Sequence, residues 1–106
     1  MGYRSDVAIA LNTTADVNLR LESRSEAISV LDNADQIIKG DDHTTYFLEG
    51  VKWYDGYPEV DEIMDYLGTL NHDDFGYMRI GESDDDFEAK GDPYAFGIEC
   101  HRHISI

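Results

Sequence analysis

The sequence predicts an α+β fold: one domain over residues 1–106, with an antiparallel-rich sheet and about two helical segments packed on one face. Three observations predict it. Several short runs alternate apolar and polar residues at strand period, one segment carries a helical apolar stripe, and neither an internal repeat nor a long linker divides the chain. Apolar residues make up 42% of the 106, enough for one packed core, so disorder by composition is not expected.

Val7, Ile9 and Leu11 alternate with Asp6, Ala8 and Ala10, which predicts a first strand over 3–11. Asn12-Thr13-Thr14 offers turn or cap chemistry. In 15–23, Val17, Leu19 and Leu21 alternate like a strand, but Ala27, Ile28 and Leu31 downstream sit at helical spacing. A broken helix over 14–33, closed by Asp32-Asn33, is the favoured reading. Residues 36–39, a Gly40-Asp41-Asp42-His43 turn and residues 44–53 read as a hairpin.

Pro58 suits a first helical position, and Glu59, Asp61 and Glu62 crowd the positive end of the dipole. Val60, Ile63, Met64 and Leu67 then form one apolar stripe, predicting a helix over 58–70. Residues 75–81 read as a strand, 82–86 as an acidic run, 87–90 as a short strand and 91–93 as a turn. A last strand is expected over 95–105, with Ile98, Cys100 and Ile104 on one face.

Charge narrows the function. Twenty-three acids against eight bases give −15, a surface that repels nucleic acids and anionic membranes. Neither is expected as a direct partner; a basic protein, a cation or solubility alone remain as explanations of the acidity. No apolar run is long enough to span a bilayer, and the start lacks the apolar centre of a signal peptide. The single Cys100 excludes an internal disulfide and fits a reducing cytoplasm.

The candidate partner-binding residues are acids. On the 58–70 helix, Glu59 and Glu62 are three apart and Asp61 and Asp65 four apart, with no Lys or Arg inside that helix. Asp84, Asp85 and Asp86 extend the set, and Asp41-Asp42, Asp73-Asp74, Glu82, Glu88 and Asp92 add loop carboxylates. If several share a side they could imitate nucleic-acid phosphates, which fall about every 1.7 Å along a duplex axis. An EF-hand starting at Asp84 fails, because Ala89 stands where the glycine must be and Ala95 where the glutamate must be.

Cys100-His101-Arg102-His103 is the one cluster resembling metal or nucleophile chemistry. On a strand His101 and His103 share a face and could share a metal, while Cys100 points away from both. No metal site, catalytic residue or cofactor is assigned, because phosphate-loop, nucleophile-elbow and zinc-protease motifs are all missing from the sequence. Enzyme activity is not expected. Tyr46, Trp53, Tyr54, Tyr57, Tyr66 and Tyr77 suit either a core or an interface, and core packing is the simpler account.

Gly2-Tyr3-Arg4-Ser5-Asp6-Val7, Val51-Lys52-Trp53-Tyr54 through Tyr57-Pro58-Glu59-Val60, and Phe75-Gly76-Tyr77-Met78-Arg79-Ile80-Gly81-Glu82 occur in that order. Together they resemble small acidic, uncharacterised proteins of tailed bacteriophages and prophages. The resemblance implies expression in the cytoplasm of an infected bacterial cell and an accessory role against host machinery. It supplies no catalytic residues. The expectation is an accessory protein that binds a basic surface on a host protein, such as a nuclease or defence factor, and inhibits it. The alternatives are a self-associating assembly component, hence a homo-oligomer, and a metal-binding protein or enzyme using His101 and His103.

Overall fold

A computed structural model describes residues 3–83, 85–100 and 104–105, with residues 99, 100, 104 and 105 described by backbone alone. Strand β1 (Ser5–Asn12) is the middle of a five-stranded antiparallel sheet. Its neighbours are β3 (His43–Val51) and β4 (Phe75–Ile80), with β2 (Gln36–Lys39) and β5 (Phe87–Gly91) at the edges. The α+β architecture is the one the sequence predicts.

The alternation of β1 sorts the sheet into two faces. Val7, Ile9 and Leu11 join Tyr46, Leu48, Phe75 and Tyr77 beneath the helices, all essentially buried. The broken helix resolves into α1 (Thr13–Leu21) and α2 (Ser25–Asp32); α3 (Pro58–Gly68) is the third. Each donates an apolar stripe to this core: Ala15 and Leu19, Ala27 and Leu31, and Ile63, Tyr66 and Leu67. Residues 15–21 are helical because Asn12 caps them, its side chain accepting from the Ala15 N–H at 2.8 Å. The strand-like alternation of Val17 and Leu21 therefore exposes both residues and buries Leu19. Ser23, at φ 57°, makes the break between α1 and α2.

The small residues Ala8 and Ala10 line the other face with Met78 and Ile98. Here the structure corrects the strand expected over 95–105. Pro93–Phe96 is a 3₁₀ turn, capped by the Asp92 side chain on the Ala95 N–H and ended by Gly97 at φ 81°. Among the described residues of this segment, Glu99–Cys100 (β6) and Ile104–Ser105 (β7) are the strands, paired with each other in a separate ribbon. A capped proline and a left-handed glycine redirect the chain before a strand can form. Gly76 permits the close passage: a Cβ there would lie 2.6 Å from the Pro93 Cα. His101 and His103 lie outside the described residues, and Cys100 belongs to the ribbon. The 3–11, 44–53 and 58–70 segments end a residue or two from their expected limits. No helix among the described residues is long and apolar enough to cross a membrane.

Candidate functional site

The acids expected to face a partner divide by what the fold already does with them. On α3, the Asp61 carboxylate accepts from the Gly56 N–H at 2.9 Å and closes the turn that precedes the helix. Glu62 accepts from the Ala27 N–H at 3.3 Å, at the N-terminal turn of α2. Asp65 accepts from Arg24 at 3.0 Å, and the same guanidinium bonds Glu22 and lies over the Tyr66 ring at 5.0 Å. The cation missing from α3 is supplied by the loop before α2. Glu59 is half-buried with no ion-pair partner among the described residues.

In the acidic run, Asp86 is held by Arg79 at 2.6 and 3.1 Å and by the Tyr3 hydroxyl at 2.6 Å. Arg79, then Tyr3, keeps its carboxyl below the usual carboxylate range. Arg79 also donates to Glu88 at 2.7 Å and to the Ser5 hydroxyl at 3.0 Å. Asp85 is exposed, and Asp84 lies outside the described residues. This network floors a cleft of about 460 Å³ walled by Trp53, Tyr54, Tyr77 and Lys90, where the Trp53 indole donates to the Tyr77 hydroxyl at 3.0 Å. Tyr54 and Tyr57 meet edge to face at 5.3 Å, while Tyr46, Tyr66 and Tyr77 are core residues.

A different set of acids is left outward. Strand order brings the β2–β3 turn, the loop before β4 and the loop after β5 to one end of the sheet, beside the start of α1. Asp41, Asp42 and Asp73 line an open groove of about 510 Å³ there, together with Thr13 and Phe96. His72, Asp73 and Asp92 bring their side-chain donors within 4.8 Å of one another. Asp41, Asp42 and Asp73 are exposed, and no lysine or arginine pairs with them or with Asp92 among the described residues. The His43 ring lies 2.7 Å from Asp42, and the hydrogen bond between them holds that carboxyl below its usual range. The sequence shows these loop acids; only the strand order shows that they meet.

Buried phenols dominate the alkaline behaviour. Desolvation, then the Asp16 carboxylate, pushes Tyr46 up to about 12. Desolvation first also raises Tyr66, which donates to the Ala15 carbonyl, and Tyr77, where the Glu88 charge adds to it. Unfolded tyrosine ionises near pH 10, so the fold favours the neutral phenols. Their stabilisation is full below pH 10 and is lost as pH rises through the folded values. Alkaline unfolding followed by circular dichroism, with tyrosinate absorbance alongside, is expected to be cooperative at about pH 11–12. Tyr46→Phe, which has no proton to lose, moves that midpoint upward.

In comparisons with known proteins, no family model, no curated protein and no solved structure matches the chain. The chain is an α+β domain with helices on one sheet face and, at one sheet end, carboxylates that no lysine or arginine among the described residues balances.

Proposed function

We propose that the protein is a binding module whose loop-bearing sheet end receives a basic surface of another protein. The observation that carries this reading is the gathering of Asp41, Asp42, Asp73 and Asp92 from three loops with no lysine or arginine to balance them among the described residues. Three arginines answer other acids: Arg20 holds Asp16 and Asp32, Arg24 holds Glu22 and Asp65, and Arg79 holds Asp86 and Glu88. Excess negative potential is thus concentrated where the sheet presents its loops. Lysines and arginines of a partner would relieve that repulsion and gain charge-assisted hydrogen bonds.

The resemblance to phage-encoded acidic proteins gives the partner its setting: a host protein with a nucleic-acid-facing basic surface, which this domain occupies and so inhibits. Asp42 and Asp73 take the place that phosphates would otherwise hold. Half-buried Glu59 and exposed Asp85, at other positions, extend the field and do not anchor the contact.

Immobilised protein is expected to retain a basic protein from bacterial lysate at low salt and release it at high salt. Asp41→Asn/Asp42→Asn/Asp73→Asn, which removes three exposed charges, should weaken retention at least about tenfold while the thermal melt stays in place. Salt-independent retention, or equal retention by the triple variant, would refute this site.

A further inference from the structure

The free edge of the sheet carries a second recognition feature, independent of the acidic loops. All four residues of β2 are exposed, with Ile37 and Ile38 each 47% accessible. Two exposed isoleucines on an edge strand present an unpaired ladder, the arrangement that folded proteins usually blunt with charge, proline or a bulge. We propose that a second copy of this chain adds to the sheet there, β2 against β2, antiparallel about a two-fold axis through Ile37.

The backbone selects the residues. Gly40 donates to the His43 carbonyl at 2.8 Å, in step with the β2–β3 register that sets Ile38 opposite Thr45 and Gln36 opposite Phe47. Amide direction alternates along an antiparallel strand, so Gln36 and Ile38 bond inward to β3. Ile37 and Lys39 point their N–H and C=O groups out of the sheet, and Asp35 lies at the bend that leads into the strand. Only registers that place odd-numbered residues opposite odd-numbered ones complete a new ladder. The register with Ile37 opposite Ile37 sets Asp35 across from Lys39 of the second copy, twice by symmetry.

The side chains agree with that choice. Lys39 has no ion pair among the described residues, and Asp35 uses one carboxylate oxygen on the Glu49 N–H, leaving the other available. Two opposite-charge pairs then flank an apolar pair, with no like charges face to face. The other edge, β5, is less fit. Gly91 at φ 66° turns the chain at its end, and Glu88 is already bound to Arg79 and Tyr77.

A four-residue edge makes a small contact, and two copies at −15 repel. The dimer is therefore expected at roughly 100 μM and above, in about 0.5 M salt, where long-range repulsion is screened. In sedimentation equilibrium up to about 1 mM, the mass should rise from 12.0 kDa towards twice that value. Hydrogen exchange should show the Ile37 and Lys39 amides becoming protected with concentration, while the Ile38 amide is protected throughout. Ile37→Pro removes only an outward N–H and should leave a folded monomer at every concentration. Lys39→Asp, a surface change, should weaken association about tenfold or more by placing carboxylate against Asp35. A mass of 12.0 kDa up to about 1 mM, or a dimer that both variants leave unchanged, would overturn the proposal.

Discussion

Replacing Arg79 with methionine is expected to cost about 2–4 kcal/mol of folding stability, the largest loss from any single charged side chain in the described fold. The guanidinium is 13% exposed and joins three separate parts of the chain: Ser5 at the start of β1, Asp86 in the acidic turn and Glu88 on β5. Without it, Asp86 keeps only the Tyr3 hydroxyl, and Glu88 lies beside a buried phenol that its charge already disfavours ionising. The figure is set below that for a fully buried pair because Asp86 and Glu88 remain 30% and 46% exposed and can recover water. Against a typical stability of roughly 5–15 kcal/mol, the urea midpoint should fall markedly. Arg79→Lys should recover only part of it, because an ammonium cannot make the paired contact to Asp86. A midpoint within error of wild type in Arg79→Met would show that the network is incidental.

The same variant carries a pH signature. Asp86 is held below its unfolded value, so its contribution is present above about pH 4 and disappears as pH falls through the lower, folded value. The gap between wild type and Arg79→Met should therefore narrow in acid. Trp53, hydrogen-bonded to Tyr77 at the edge of this cleft, provides the fluorescence that follows both titrations.

What the sequence makes legible follows the range of the interactions. The alternation of β1 separates Val7, Ile9 and Leu11 from Ala8 and Ala10 correctly, because the two sheet faces are filled by residues of different size. The stripe of α3 works for the same reason: Val60, Ile63 and Leu67 are buried at helical spacing. Near the C-terminus, Ile98 with Cys100 and Ile104 at strand spacing suggests a strand, yet Phe96 and Ile98 plug the Ala8–Ala10 face from a capped turn. A packed plug and an alternating strand have the same local pattern; Gly76, far away in the chain, decides between them by admitting Pro93. The acids show the limit most plainly. Spacing along α3 reveals that Asp61 and Asp65 share a face, but Arg24, Gly56 and Ala27, which take up three of the α3 carboxylates, come from other elements. The group at Asp41, Asp73 and Asp92 comes together only once β2 through β5 are ordered in space.

Those partners set the second large effect. Reversing Asp61, Glu62 and Asp65 together to lysine leaves helix propensity nearly unchanged, so the sequence alone predicts an intact fold. The structure predicts a loss of about 2–3 kcal/mol. The Glu62 bond to the Ala27 N–H and the Asp61 bond to the Gly56 N–H contribute about 1 kcal/mol each, and the exposed Asp65–Arg24 pair about 0.5. Lysines near the N-terminus of α3 add an unfavourable dipole interaction of about 0.3–1 kcal/mol each. Reducing the net charge from −15 to −9 offsets part of this. A melting temperature lower by roughly 10 °C or more is the expected reading. Asp61→Asn/Glu62→Gln/Asp65→Asn removes the charge but keeps an acceptor at each contact, and should lose under about 1 kcal/mol. Partner binding lost in the lysine variant but kept in the amide variant would therefore report a damaged fold, not a recognition surface on α3. Loss in both, with the amide variant still melting like wild type, would move the recognition surface from the loop carboxylates to the helix.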